Sequence, residues 1–178
     1  MAQLPQEFLT RMQDMLGDEF DAFLTSYDAP RTAGLRVNTK KCRTEDFPPL
    51  VPGTWKKIPW IPNGYFVPDG MRMGQSPLYA AGVFYLQEPS AMTPASRLPI
   101  EPGERVLDLC AAPGGKSTQL AAKLAGCGLL VCNEIHPKRA QILAQNIERM
   151  GIANALVLSE HPARLAERFA GFFDRILV

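Results

Sequence analysis

Strands and helices alternate along the second half of the chain, and this alternation restricts the possible folds more than any other feature. Apolar segments typical of buried strands occupy residues 104–109, 128–133, 155–158 and 173–178. Helical patterns occupy residues 115–125, 137–150 and 163–169. Strands that are joined by single helices and short loops predict a parallel, doubly wound α/β sheet. The ligand of such a sheet lies at the carboxyl ends of its first strands.

The first part of the chain has a different pattern and predicts a smaller α/β module. A helix begins at Pro5, carries its apolar residues on one face and ends at Gly17. Residues 48–77 contain too many prolines and glycines for long helices or strands. We therefore divide the chain into an N-terminal module with its linker, residues 1–79, and an α/β domain, residues 80–178. The α/β domain is expected to be incomplete, because the sequence stops at its fourth strand.

The composition is that of a soluble globular protein, with 46% hydrophobic and 21% charged residues. The longest nearly unbroken apolar run, residues 125–132, is much shorter than the roughly 20 residues of a membrane-spanning helix. The cysteines form no CxxC pair, and neither histidine has a partner at metal-ligand spacing. We therefore expect a cytoplasmic protein with no membrane segment, no metal site, and reduced, buried thiols. The cysteines are Cys42, Cys110, Cys127 and Cys132.

Charge is distributed unevenly along a chain whose formal net charge is only +1. Residues 1–30 carry six acids against one base, whereas residues 31–57 carry seven bases against two acids, with several aromatic residues close by. Clustered bases beside aromatic side chains can hold phosphates and stack on nucleic-acid bases. A solvated surface above a small core is the alternative. The candidate RNA-binding residues are Arg31, Arg36, Lys40, Lys41 and Arg43.

A glycine-containing turn after the first strand of the α/β domain gives the strongest indication of function. Its sequence is Val106-Leu-Asp-Leu-Cys-Ala-Ala-Pro-Gly-Gly-Lys-Ser-Thr118. Adjacent glycines let a ligand approach the backbone closely, and the start of the following helix offers free N–H groups. A P-loop needs a glycine where this sequence has Cys110, and the dinucleotide fingerprint GxGxxG also fails. Of the three cofactor classes that use such a turn, S-adenosylmethionine remains.

The second strand ends in an acid, Glu134, which supports the same cofactor. A carboxylate at this place in a βαβ unit can accept hydrogen bonds from both ribose hydroxyls of an adenosine. The alternative is a surface acid in front of the helix that begins at Pro137. Lys116 is open to two interpretations, since a lysine at a helix start either faces the methionine carboxylate of the cofactor or is simply solvated.

Two strings and the opening of the chain resemble a known family. Tyr85-Leu-Gln-Glu-Pro-Ser-Ala-Met92 and Leu107-Asp-Leu-Cys-Ala-Ala-Pro-Gly-Gly-Lys-Ser-Thr118 together closely resemble the Nop/Sun family of RNA cytosine-5 methyltransferases. Gly34-Leu-Arg-Val-Asn38 and the first residues are similar to its bacterial RsmF branch, which modifies small-subunit ribosomal RNA. The resemblance covers essentially the whole chain. It implies a small RNA-contacting α/β module followed by the first half of a Rossmann-like methyltransferase domain.

The resemblance also implies which residues bind S-adenosylmethionine. The turn is expected to wrap the methionine and ribose side of the cofactor, and Glu134 to bind the ribose with Arg139 beside it. Glu160 takes the place of the acid that the family has near adenine. The expected cofactor-binding residues are Cys110, Ala111, Ala112, Pro113, Gly114, Gly115, Lys116, Glu134, Arg139 and Glu160.

The chemistry of the family requires a cysteine in a context that this sequence lacks. In the family a cysteine thiolate adds to C6 of cytosine, C5 attacks the methyl group, and a base then removes the C5 proton. The two family cysteines lie in an Asp-Ala-Pro-Cys turn and a later Thr-Cys-Thr-type turn, and neither is present here. We therefore assign no catalytic residue and expect the chain alone to be inactive. The alternative to a truncated ribosomal RNA methyltransferase is a non-catalytic module that binds RNA or cofactor, and transfer RNA stays open as a substrate.

Overall fold

A computed structural model describes residues 4–29 and 32–178, and the chain divides into two compact units, residues 1–32 and 33–178. The first unit holds two helices, α1 (Gln6–Leu16) and α2 (Phe20–Ser26), joined by a 3-10 turn. The ring centroids of Phe8 and Phe23 lie 6.2 Å apart, and no residue of either helix is buried. The helices therefore contact each other through half-buried aromatic side chains.

The second unit contains two sheets, of which the first is antiparallel with the strand order β2-β3-β1-β4. Its strands are β1 (Gly34–Val37), β2 (Lys56–Lys57), β3 (Gly64–Phe66) and β4 (Phe84–Gln87). Short helices α3 (Phe47–Leu50) and α4 (Pro77–Ala80) lie in the connections. The core of this sheet contains Leu35, Val37, Phe47, Tyr65, Met73 and Phe84.

The second sheet is parallel with the strand order β7-β6-β5-β8. Its strands are β5 (Arg105–Asp108), β6 (Leu129–Asn133), β7 (Ala155–Leu158) and β8 (Arg175–Leu177). Helix α5 (Thr93–Arg97) precedes β5, and helices α6 (Gly115–Leu124), α7 (Pro137–Arg149) and α8 (Pro162–Arg168) alternate with the strands. The predicted parallel, doubly wound sheet is thus confirmed.

Helices cover both faces of the parallel sheet. Successive residues of a strand point to opposite faces, so Val106 and Leu107 contact different layers. Val106 belongs to the main core together with Leu120 of α6 and Leu143 of α7. Leu107 and Leu165 of α8 line a small apolar cavity on the other face. The polar ends of β5 and β6 therefore lie between two helical layers.

The two sheets are joined by hydrogen bonds at the C-terminal end of α7. Asn38 Nδ2 donates to the carbonyl oxygens of Gly82 and Met150, both at 2.8 Å. Lys41 Nζ donates to the carbonyl oxygen of Arg149 at 2.8 Å. A Cβ atom on Gly82, whose φ is +67°, would lie 2.0 Å from that same Arg149 oxygen. Glycine is required here because the two backbones approach too closely for any side chain.

Strand β4 belongs to the first sheet, although the division made from the sequence assigns residues 80–178 to the α/β domain. It pairs with β1 in antiparallel register, and both sheets lie in one compact unit. The boundary between residues 79 and 80 stays a prediction.

The expectation of buried thiols is correct for Cys132 but wrong for two other cysteines. Cys110 and Cys127 are exposed, and Cys42 is half-buried. Cys110 is exposed because it follows β5 in the turn, where the chain leaves the sheet beside an open cavity. Burial raises the pKa of the Cys132 thiol to about 12, which keeps it protonated and unreactive at neutral pH.

Candidate cofactor site

The predicted glycine turn connects the end of β5 to the start of α6. Gly114 has a φ of +113°, and a Cβ atom there would lie 3.2 Å from Leu143 Cδ1. A Cβ atom on Gly115 would lie 3.0 Å from the side-chain amide of Gln87 on β4. The two glycines therefore allow a backbone conformation and a close approach to β4 that side chains would oppose. The first N–H groups of α6 lie at this turn and have no partner within the helix.

Glu134 lies directly after β6 and is held by a single arginine. Its side chain is only 5% exposed, and its Oε2 atom lies 3.1 Å from Arg139 Nη1. Its Oε1 atom accepts a hydrogen bond from the backbone N–H of His136 at 3.1 Å. Arg139 Nη2 also donates to the carbonyl oxygen of Ala112 at 3.1 Å. One guanidinium on α7 thus links the buried acid to the glycine turn.

A cavity of about 190 Å³ lies beside this ion pair, at the carboxyl ends of β5 and β6. Its lining consists of Leu109, Cys110, Asn133, Glu134, Ile135, His136, Arg139 and Pro162. Glu160 does not line it. Instead the Glu160 carboxylate lies 3.2 Å from Arg164 Nη1, on the partly exposed surface of α8. The structure therefore brings Cys110, Glu134 and Arg139 together and directs Glu160 toward a neighbouring helix.

Asn133 was not among the predicted site residues, yet it ties the strand ends together. It is fully buried. Its Nδ2 donates to the carbonyl oxygen of Glu160 at 3.0 Å, and its Oδ1 accepts from the N–H of Glu160 at 3.0 Å. This pair of hydrogen bonds fixes the segment after β7 against the end of β6. A polar amide that ends an apolar strand, directly before Glu134, was the signal in the sequence.

Asp108 is a second residue that the sequence-based site omitted. It is fully buried at the end of β5, and its Oδ2 accepts a hydrogen bond from Ser117 Oγ at 2.7 Å. Its Oδ1 is buried and has no hydrogen-bond partner. Burial raises the pKa of this carboxyl, and the Ser117 hydroxyl and the Lys116 charge oppose that shift. A buried carboxylate with a free acceptor beside a glycine turn is available to a cationic or hydrogen-bond-donating ligand group.

A larger cavity, of about 420 Å³, lies on the other side of the glycine turn. The turn and Lys116 form one wall, and β4 and the segment after it form the other. Its lining consists of Tyr85, Leu86, Gln87, Ala91, Pro94, Ala111, Ala112, Pro113, Gly115 and Lys116. The turn therefore separates two cavities, one beside the buried acid Glu134 and one facing the first sheet.

Residues 4–29 and 32–178 contain no group of three or more His, Cys, Asp or Glu side chains that is arranged to hold a metal ion. Within the same ranges no helix has both the length and the apolar character needed to cross a membrane.

Two family models together match almost the whole chain. One, described as the N-terminal domain of 16S rRNA methyltransferase RsmF, matches residues 4–89, and the other, described as 16S rRNA methyltransferase RsmB/F, matches residues 95–178. The chain belongs to the RsmB/F family. Ribosomal RNA small subunit methyltransferase F from Enterobacter sp. (strain 638) is 36% identical to it, and the protein of that name from Erwinia tasmaniensis is 39% identical, each over 98% of the chain. The chain spans 38% and 39% of the length of these two relatives.

Solved structures show that the RsmB/F chain has part of a methyltransferase fold. A methyltransferase homolog protein from Pyrococcus horikoshii superposes with a TM-score of 0.87 at 26% identity, over 99% of this chain and 59% of that one. NSun6 from Pyrococcus horikoshii, solved with SFG, superposes with a TM-score of 0.86 over 98% of this chain and 70% of that one. At 16% identity the second match shows the fold alone. The predicted arrangement of an α/β module followed by part of a methyltransferase domain is confirmed.

The predicted RNA-binding residues of this RsmB/F chain are in diverse environments. Arg31 lies outside the described residues. Lys40, Lys41 and Arg43 are exposed, but each already contacts protein groups. Lys40 Nζ donates to the Gly151 carbonyl oxygen at 3.2 Å, and Arg43 Nε donates to Asp46 Oδ2 at 2.7 Å. Their contact with RNA stays a prediction.

Arg36 was predicted to belong to an RNA-binding surface, and the prediction that it lies at the surface is wrong. Its relative exposure is 1%, and its guanidinium lies beneath α6 rather than on the basic surface. Leu35 and Val37 are buried as well, so β1 is covered on both faces. A strand with one solvent-facing side would expose Arg36, but α6 of the second sheet packs over that side.

Proposed function

We propose that the protein to which this chain belongs transfers a methyl group from S-adenosylmethionine to C5 of a cytosine in small-subunit ribosomal RNA. Residues 105–164 hold the cofactor in this proposal, and the exposed bases of the first sheet contact the RNA. The observation that carries it is the nearly buried Glu134, held by Arg139 next to a cavity at the carboxyl ends of β5 and β6.

The residues around the turn fit S-adenosylmethionine. A ribose offers two adjacent hydroxyl donors, and Glu134 is a carboxylate at the wall of the 190 Å³ cavity. An α-amino group is a cationic donor, and Asp108 Oδ1 is a buried acceptor without a partner. A carboxylate is stabilised by the N-terminus of a helix and by an ammonium group, and α6 begins with Gly115 and Lys116.

Each of these residues has a separate task in the proposal. Bound S-adenosylmethionine supplies an electrophilic methyl group. Arg139 orients Glu134, because it bridges the carboxylate and the carbonyl oxygen of Ala112. Gly114 and Gly115 let the backbone approach the cofactor closely. The thiolate that activates cytosine is assigned to the family motifs that this sequence lacks, so the chain contributes binding and orientation.

The RNA part of the proposal rests on the relatives and on local charge. The relatives are named small-subunit ribosomal RNA methyltransferases, and residues 31–57 carry seven bases against two acids. Lys56 and Lys57 form the exposed strand β2 at the edge of the first sheet. An edge strand with two lysines presents its charges to solvent, where phosphates can reach them.

The experiment replaces Glu134 with Ala in the full-length protein and measures the dissociation constant for S-adenosylmethionine by calorimetry. The loss of hydrogen bonds to a charged group costs about 1.5–3 kcal/mol, which corresponds to roughly 10- to 150-fold weaker binding. Glu148→Ala on the exposed side of α7 is the matched control and is expected to leave the constant unchanged. A Glu134→Ala variant that binds as tightly as the wild type would remove this residue from the site.

A further inference from the structure

Arg36 is a buried cation at the contact between the first sheet and α6. Its Nη2 donates to the carbonyl oxygen of Gly115 at 2.8 Å and to Thr118 Oγ1 at 2.7 Å. Both acceptors lie in the first turn of α6, and the Thr118 hydroxyl also donates to the Gly115 carbonyl at 3.1 Å. The Nη2 atom of Arg36 on β1 is thus hydrogen-bonded to the first turn of α6, the helix that follows the cofactor turn.

This arrangement is costly for the folded protein. Burial lowers the pKa of Arg36 to about 10. Its Nε is buried without a partner, and the described residues supply no carboxylate within ion-pair distance of it. A cation at a helix N-terminus is also disfavoured by the helix dipole. Stabilisation of the fold therefore does not explain an arginine at this position, since apolar side chains packed there would avoid these costs.

Arg36 and strand β4 both contact the end of the glycine turn, where α6 begins. Gly115, whose carbonyl it binds, also lies against Gln87 of β4, where a Cβ atom would come within 3.0 Å. Arg36 pairs with Tyr85 across β1 and β4, and Tyr85 and Gln87 both line the 420 Å³ cavity. The start of α6 is thus held from β1 by hydrogen bonds and from β4 by packing.

We propose that Arg36 is a positioning residue for the cofactor turn, so that the first sheet and not only the parallel sheet determines the affinity for S-adenosylmethionine. This inference rests on the proposed function, because it requires that the turn binds the cofactor. Arg36 acts through the Gly115 carbonyl and the Thr118 hydroxyl. A displaced first turn of α6 misdirects the free N–H groups that face the ligand.

The test compares two variants of the full-length protein that weaken the same contact between the sheets at different places. Arg36→Met removes the bonds to α6. Asn38→Ala removes two hydrogen bonds from the next part of the same chain segment, but their acceptors, Gly82 and Met150, lie outside the turn. The thermal midpoint and the dissociation constant for S-adenosylmethionine are measured for both.

Arg36→Met is expected to weaken cofactor binding by about 2- to 30-fold, the range typical of a residue that acts through a neighbour. Asn38→Ala is expected to lower the thermal midpoint and leave the dissociation constant as in the wild type. Arg36→Lys should restore part of the affinity, because an ammonium group replaces one donor but is shorter than the guanidinium. In turnover experiments, KM for the cofactor should rise while kcat at saturation is retained.

If Arg36→Met does not fold, Thr118→Val tests the other end of the same contact and should also weaken binding. Equal loss of affinity in Asn38→Ala and in the Arg36 or Thr118 variant, at equal loss of thermal midpoint, would show that Arg36 only supports the fold. Unchanged affinity in both the Arg36 and the Thr118 variant would also overturn the inference. A wild-type protein that does not bind S-adenosylmethionine would instead refute the proposed function, and the inference with it.

Discussion

The cofactor turn and the basic segment that follows β1, residues 40–43, differ in how the charged side chains in and beside them are bonded. Beside the turn, at the end of β6, Glu134 is held by one arginine on one side and lines a cavity on the other. In the basic segment, Lys41 directs its ammonium group to two backbone carbonyls, and Arg43 pairs with Asp46. From this difference we expect the number of charges in a segment to be a poor guide to ligand binding. What matters is whether a charged group keeps free hydrogen-bonding capacity in an accessible place.

The comparison would fail most clearly if residues 1–178 catalysed methyl transfer without the rest of the protein. Residues 1–178, incubated with labelled S-adenosylmethionine and unmodified small-subunit ribosomal RNA, are expected to transfer no methyl group above background. The reason is that no cysteine of this sequence lies in either family motif, and an unactivated C5 is a poor nucleophile. Scintillation counting of the RNA measures the outcome.

Cys110 provides the decisive control, because it is exposed and lines the cavity beside Glu134. Methyl transfer that disappears in Cys110→Ala, while this variant still binds S-adenosylmethionine as tightly as the wild type, would make this cysteine the nucleophile and would contradict its assignment to cofactor binding. The full-length protein, assayed under the same conditions, shows that the RNA substrate is competent.

A second experiment asks whether the basic segment contacts RNA despite its protein partners. Replacement of Lys40, Lys41 and Arg43 by Ala in the full-length protein is expected to weaken RNA binding. Each lost phosphate contact should lower the log–log salt slope by about 0.7–0.9. Titration of RNA binding at several salt concentrations measures the slope.

The matched variant for this test is Lys56→Ala together with Lys57→Ala. These lysines are exposed on β2, and their removal leaves the bonds of Lys41 to α7 intact. A lower slope in this double variant and an unaltered slope in the triple variant would show that the segment after β1 is structural and that RNA binds at the sheet edge instead.

The smallest expected effect concerns Asp108, the buried acid at the start of the turn. Because burial raises its pKa in the folded state, its contribution to stability is greatest below its ordinary pKa, where the group is neutral. That contribution is lost as the pH rises through the raised value. Asp108→Asn should therefore be more stable than the wild type at pH 7 by on the order of 1 kcal/mol, with the difference shrinking toward pH 3.

Chemical denaturation of both proteins between pH 3 and pH 8 measures this difference. The same Asn variant should bind S-adenosylmethionine more weakly, because it lacks a carboxylate for the amino group of the ligand. Equal stability of the two proteins at every pH would mean that the buried carboxyl carries no penalty and is not held ready for a ligand.

Much of the fold was predictable from local patterns, because apolar strands and amphipathic helices alternate with short loops from residue 104 onward. The turn and Glu134 were predictable because they occupy fixed places in a βαβ unit. The buried position of Arg36 was not predictable, since it depends on α6, which lies about eighty residues away in the sequence. Asp108 and Asn133 were also missed: their hydrogen-bond partners come from other elements, and local propensity does not include them.

Helix α7 makes contacts with other parts of the chain at both of its ends. Arg139, near its start, holds Glu134, and Arg149, at its end, accepts the bond from Lys41 that joins the two sheets. An α-helix turns by about 100° per residue, so the insertion or deletion of one residue between these arginines would rotate one contact away from its partner. The number of residues in α7 is therefore constrained by two separate contacts, one at each end of the helix. Exposed side chains of α7 that make neither contact can be replaced, whereas a change in the number of residues between Arg139 and Arg149 disrupts one contact or the other.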